Sequence, residues 1–119
     1  MASRGKGARN KGANFERLIA NKISEDTGLG AKRGLAQVRG GGAEVSDVDM
    51  PLIHIEAKNW KVTYPKKALE QAVRDISISG TGKIPVAVTK DLRKPILVTM
   101  YYKDWIDFFK AYIEKEDVY

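Results

Sequence analysis

Residues 52 to 58, "LIHIEAK", alternate in character: Ile53, Ile55 and Ala57 fall on one side of an extended chain, and His54, Glu56 and Lys58 fall on the other. A period of two is the signature of a strand, here with one apolar face and one face that carries chemistry. Glu56 and Lys58 then point the same way, roughly 7 Å apart along the strand, close enough to share one ligand. Any fold for this chain must place that strand over a core while leaving an opening for a carboxylate and an ammonium.

The surrounding pattern supplies the other elements. Phe15, Leu18, Ile19 and Ile23 recur at helical spacing, and the helix is expected from about Asn14 to Thr27-Gly28, where glycine suits a C-terminal cap. "GLAQVRGGGAEVSD" predicts a short strand around Leu35 to Arg39 and then a glycine-rich loop. After Pro65, the run Leu69, Ala72, Val73, Ile76 marks a second amphipathic helix that ends before "SGTGK". "IPVAVTK" and "PILVTM" read as strands joined by the polar turn "DLRK". The last segment, "YYKDWIDFFKAYIEK", spaces Trp105, Phe108, Phe109 and Tyr112 as one helical stripe, which is expected to pack into the core. Helix, strands, helix, strands, helix is an α/β order: a mixed sheet flanked by helices, with parallel pairing across the second helix.

A chain of 119 residues with 43% hydrophobic residues carries one core, so residues 13–119 are expected to form a single domain. Residues 1–12 hold Arg4, Lys6, Arg9 and Lys11 and no acid, and are expected to be a flexible basic arm. With a net charge of +6 concentrated there, nucleic acid is the expected partner, the alternative being a solubilising tail. The absence of cysteine excludes disulfides, zinc-thiolate centres and cysteine nucleophiles, and suits an intracellular, cytoplasmic protein. No stretch reaches the length of an apolar membrane span, and no apolar signal segment is evident.

Upstream of the strand stand Asp47 and Asp49, either of which could meet Glu56 across a hairpin. Two carboxylates without a cysteine or a histidine cluster make a hard oxygen site, suited to Mg²⁺ with Mn²⁺ able to substitute. Such an ion together with a lysine is equipped for phosphodiester hydrolysis. Taken alone, the same spacing also describes a solvated ion-pair surface. Turn chemistry favours Asp47: pairing it with Glu56 makes Pro51-Leu52 the turn, with proline in its preferred first place, whereas pairing Asp49 would put Leu52-Ile53 there. His54 shares the face of Glu56 and is read as a packed structural residue. Trp60 and Tyr64 are read as core or rim packing, with base stacking as the alternative.

With "SDV" in the place of the acidic motif and "IEAK" as the Glu-x-Lys motif, the chain resembles the PD-(D/E)xK nuclease superfamily. "KGANFERLIANKI" is similar to the first helix of archaeal-type Holliday junction resolvases, "AQVRGGGA" to their following strand and loop, and "LEQAV" to the helix after the Glu-x-Lys strand. The first motif departs from the pattern in having Ser46 where proline is usual. The resemblance implies a restriction-endonuclease-like α/β fold with Asp47, Glu56 and Glu16 as metal ligands. It further implies Lys58 as the residue that orients or polarises water, and Gln71 beside it. Arg17 and Arg39, together with the basic arm, are expected to contact DNA. The implied activity is a Mg²⁺-dependent endodeoxyribonuclease that resolves four-way junctions by symmetric cuts as a homodimer, phage-encoded or from a mobile element. The alternatives are a nuclease of the same fold acting on linear, nicked or flapped DNA, and a DNA-binding protein without catalysis.

Overall fold

The structure, a computed structural model, describes residues 4–34 and 46–117, with residues 4–6, 8 and 9 as backbone only. Helix α1 (Arg4–Thr27) leads into strand β1 (Lys32–Arg33), followed by β2 (Val48–Asp49), β3 (Ile53–Trp60), helix α2 (Pro65–Ser79), β4 (Ile84–Asp91), β5 (Leu97–Thr99) and helix α3 (Tyr102–Lys115). The strands form one mixed sheet in the order β1-β2-β3-β4-β5. Only the β3–β4 pair is parallel, in register from Ile53↔Ile84 to Trp60↔Asp91, and α2 is the crossover between them. This is the restriction-endonuclease-like α/β arrangement expected.

The two faces of β3 meet two different helices. Ile55 and Ala57 join Val86 and Val88 of β4, Val48 and Met50, and are covered by Phe15, Ile19 and Ala20 of α1. Each large side chain buried there contributes about 1.5–3 kcal/mol. On the opposite face, Ala68, Leu69, Ala72 and Asp75 of α2 lie buried over the sheet, where Ala87 packs against Ala68 and Leu69. Pro65 opens α2 at a position where its missing N–H costs nothing. Gly80 closes it at φ 69°, donating its N–H to the Ile76 carbonyl.

The β2–β3 hairpin has Val48 opposite Ile55, the register that leaves Pro51-Leu52 as the turn. The Ile53 N–H donates to the Pro51 carbonyl at 2.9 Å, which closes a three-residue turn about Leu52 and holds that residue at φ 75°. Such a φ is strained for a non-glycine residue.

Two expectations differ from what is observed, and a third lies outside the described residues. Helix α1 begins at Arg4 rather than Asn14, so residues 4–12 are helical. The apolar spacing that locates a packed helix is missing there, and Gly5, Gly7 and Gly12 are poor helix formers, so neither pattern nor propensity marks this segment as helical in the sequence. The first strand is Lys32–Arg33; the expected strand around Leu35 to Arg39, and Arg39 itself, lie outside the described residues. The aromatic stripe of α3 is not core: no residue of that helix is buried, and Trp105, Phe108, Phe109 and Tyr112 are all exposed. Helices α1 and α2 already cover the two faces of β3. The rings of α3 stack along their own helix instead, with Tyr102–Trp105 centroids 5.8 Å apart and Trp105–Phe109 centroids 5.3 Å apart.

Candidate active site

The chemical face of β3 grades from interior to solvent along its length. His54 and Glu56 are fully covered, Lys58 is half-buried, and Trp60 is exposed. Asp75 of α2 is buried close to the covered end, its Oδ2 3.9 Å from His54 Nε2. Toward the C-terminal end of β3, between the middle of α1 and the first half of α2, a cleft of about 410 Å³ opens, bordered by Glu16, Arg33, Asp47, Lys58, Trp60 and Gln71.

Asp47 is held there by backbone pairing. Its N–H donates to the Ile55 carbonyl and its own carbonyl accepts from Gly34 N–H, both at 2.9 Å. Gly34 runs so close to the chain that a Cβ would collide with the Ser46 carbonyl oxygen, which requires glycine at that position. Among the described residues β2 pairs with β3 only at Val48–Ile55, and one residue pair further on the Asp47 carboxylate takes the place of a strand carbonyl. The Ala57 N–H donates to its Oδ2 at 2.8 Å.

Three carboxyl groups crowd this point. Burial raises the pKa of Glu16 and the negative charge of Asp47 adds to it, while the Arg33 guanidinium, donating from Nε to Glu16 Oε1 at 3.0 Å, pulls it back. Glu56 is pushed up to about 10, first by burial and then by the charge of Asp47, with the more distant Lys58 only partly offsetting the rise. Glu56 Oε2 is buried without a hydrogen-bond partner. His54, whose pKa burial lowers, sits with Nε2 3.5 Å from Glu56 Oε1, too far for a good hydrogen bond. His54, Glu56 and Asp75 are close enough together to hold a metal ion. Glu16, Asp47 and Glu56 likewise fit a cation: they are crowded oxygen donors, two of them with pKa values raised by burial and by the neighbouring charge of Asp47, and one with an orphaned oxygen.

Of the residues singled out in the sequence, Glu16, Asp47, Lys58 and Gln71 border the cleft, and Glu56 lies beneath its floor. Asp49 is elsewhere, in a depression with Lys32 and Lys83. Arg17 is exposed on α1 and donates from Nη1 to Asn14 Oδ1 at 3.3 Å. Lys11 is exposed next to Gly12, which lines the cleft, while Arg4, Lys6 and Arg9 lie on the first turns of α1.

Sequence reasoning missed Arg33, which meets Glu16 only because β1 folds back beside α1, and Asp75, whose place is set by the packing of α2. For Asp75, an acid on the apolar stripe of an amphipathic helix was the available signal. Trp60 and Tyr64, read as core or rim packing, stand 53% and 56% exposed beside the cleft.

Among the described residues no helix is long and apolar enough to cross a membrane. Residues 7–118 match the model of a family described as phage putative PDDEXK endonuclease. No curated protein and no solved structure matches the chain.

Proposed function

The chain belongs to the phage putative PDDEXK endonuclease family, and from that premise we propose that it is a Mg²⁺-dependent endodeoxyribonuclease of branched DNA, cutting four-way junctions symmetrically as a homodimer. The observation that carries the reading is the meeting of Asp47, Glu16 and Lys58 in one cleft with the Glu56 carboxylate directly below. Asp47, Glu56 and Glu16 are the residues that would hold the ion, and Mn²⁺ suits the same oxygen donors. A divalent ion bound there supplies Lewis acidity toward a phosphodiester and lowers the pKa of water.

The remaining roles fall to the chain's own side chains. Lys58 presents an ammonium at the cleft wall, able to orient the attacking water and to stabilise charge that develops on the phosphate. Arg33 neutralises part of the acidic cluster and fixes the Glu16 carboxylate. Gln71 offers an amide from α2 on the side opposite Glu16. A second copy follows from the reaction: each chain has one such cleft among its described residues, and paired cuts need two. The resemblance of "KGANFERLIANKI" and "LEQAV" to junction resolvases favours the four-way junction over other branched substrates.

The deciding experiment is a cleavage panel with Mg²⁺ that compares a four-way junction with flapped, nicked and linear duplexes of matched sequence. Preferential, paired cutting of the junction is expected. Preference for flaps or nicks would move the reading to a nuclease of the same fold with another substrate, and binding without any cutting would leave a DNA-binding protein.

A further inference from the structure

The cleft continues past Lys58 and Trp60 into a groove of about 280 Å³ bordered also by Tyr64, Lys67, Gln71 and Arg74. Lys67, Gln71 and Arg74 come from one face of α2, at i, i+4 and i+7, while Lys58 and Trp60 come from the same face of β3. The groove thus has three cations and two exposed aromatic rings, and no acid lines it. Each ring already has an ammonium above it: Lys58 Nζ lies 6.0 Å from the Trp60 centroid and Lys67 Nζ 5.2 Å from that of Tyr64. The loop between the rings is fixed from below, since Thr63, which is buried, donates its N–H to Asp91 Oδ1 at 2.8 Å.

We propose that this groove binds an unpaired stretch of DNA leading out of the cleft, its backbone tracked by Lys58, Lys67 and Arg74 and its bases stacked on Trp60 and Tyr64. Duplex DNA hides its base faces in the helical stack, so two exposed rings between cations recognise nucleotides only where strands have separated. Such nucleotides occur at flaps and forks, and at a four-way junction where base pairs open at the crossover. The inference rests on DNA being the substrate, as proposed above, and narrows it to DNA with unpaired nucleotides next to the scissile phosphate. Charge complementarity selects a polyanion, and the rings select one with accessible π faces.

The test measures binding without cleavage, in EDTA at fixed salt. The probes are a duplex ending in roughly eight unpaired thymidines and a blunt duplex of the same length. The full chain should bind the tailed duplex more tightly than the blunt one. Trp60→Ala and Tyr64→Ala should each weaken binding of the tailed duplex roughly tenfold, leave the blunt duplex unchanged, and lose little when phenylalanine replaces the ring instead. In a Trp105→Phe background, which leaves Trp60 as the only tryptophan, the tailed duplex should quench the fluorescence and the blunt duplex should not. Equal affinity for the two probes, or equal loss for both in Trp60→Ala, overturns the proposal. If tail preference is present but no DNA is cut with Mg²⁺ or Mn²⁺, the nuclease reading fails and the groove stands. Absence of all DNA binding overturns both.

Discussion

The backbone N–H of Ala57 donates to Oδ2 of Asp47 at 2.8 Å, so the aspartate is tied to the strand residue that lies between Glu56 and Lys58. A side-chain carboxylate here completes the strand pairing and is at the same time a charge that raises the pKa of two other acids, Glu16 and Glu56. Structural and chemical roles therefore coincide in one group, and they can be separated by substitution.

Asparagine keeps an acceptor for the Ala57 N–H and removes the charge. Asp47→Asn is expected to fold, to bind junction DNA, and to lose cleavage by 100-fold or more, on the order of removing one preorganised charged contact. Asp47→Ala should lose about 1–3 kcal/mol of stability as well, because the Ala57 N–H would be left buried and unpaired. Asp49→Asn, placed in the depression with Lys32 and Lys83, is expected to keep measurable cleavage. Junction cleavage and gel-shift assays on the three variants check this, and an inactive Asp49→Asn beside an active Asp47→Asn would reverse the assignment.

Glu56 leads to a pH prediction. Its pKa rises from an ordinary 4.5 in the unfolded chain to about 10 in the fold, so between those values the folded state binds more protons than the unfolded state. Stability of the metal-free protein should therefore be highest near pH 4.5, as far as this group is concerned, and fall as pH rises toward 10. Glu56→Gln imitates the protonated form. It should raise the melting temperature of the metal-free protein by roughly 5 °C near pH 8, by less near pH 5, and flatten the pH dependence. It should also abolish cleavage. Thermal melts across that range in EDTA supply the check; a variant that is less stable than the wild type at pH 8 contradicts the shift.

The same crowding predicts the response to metal. Cleavage should require Mg²⁺ or Mn²⁺, with Ca²⁺ supporting binding without turnover, since the donors are all oxygen and Ca²⁺ is the weaker Lewis acid. Mg²⁺ should also raise the melting temperature, and more so at high pH, by offsetting the repulsion among Glu16, Asp47 and Glu56. Full activity in excess EDTA would sink the metal-dependent reading.

The hairpin, the parallel crossover and the two faces of β3 were legible because each depends on local rules: a proline in a turn, a period of two, a run of apolar residues at helical spacing. Arg33 and Asp75 were not, because each finds its place by contacts between segments 17 or more residues apart, Arg33 beside Glu16 and Asp75 above His54. Amphipathicity in α3 showed that one face is apolar but not what covers it. For Trp60 the strand period was known. That its ring stays in solvent, at the rim of the groove along α2, is a property of packing.

The start of α1 changes how the basic residues are presented. Arg4, Lys6, Arg9 and Lys11 lie on the helix that carries Glu16 into the cleft. Replacing all four with glutamine keeps good helix formers in place and removes four charges. The slope of log K against log salt for DNA binding should become less steep by up to about 3.6, and affinity should fall for every DNA shape alike. Fluorescence anisotropy at several salt concentrations measures it; an unchanged slope would make the segment a solubilising one.

The exposed stripe of α3 carries the last prediction. Tyr102, Trp105, Phe108, Phe109 and Tyr112 are all more than a third exposed on a helix with no buried residue, and Leu97 and Val98 of the edge strand β5 are also exposed. Exposed apolar stripes of this kind are candidate interfaces. Its balanced charge suits a second copy better than DNA, and a dimer through this face is the expected outcome. Lys103, Lys110 and Lys115 are matched by Asp104, Asp107 and Glu114, with a lysine and an acid at each end, so two such helices meet antiparallel without net repulsion. The chain should be a dimer at micromolar concentration by light scattering. Trp105→Ser with Phe109→Ser should give a folded monomer that cuts one strand of a junction and rarely both, because the surface is exposed and the core does not include it. A double variant that remains dimeric would place the interface elsewhere. A wild-type chain that stays monomeric even on a junction would contradict paired cutting and favour a nicking nuclease.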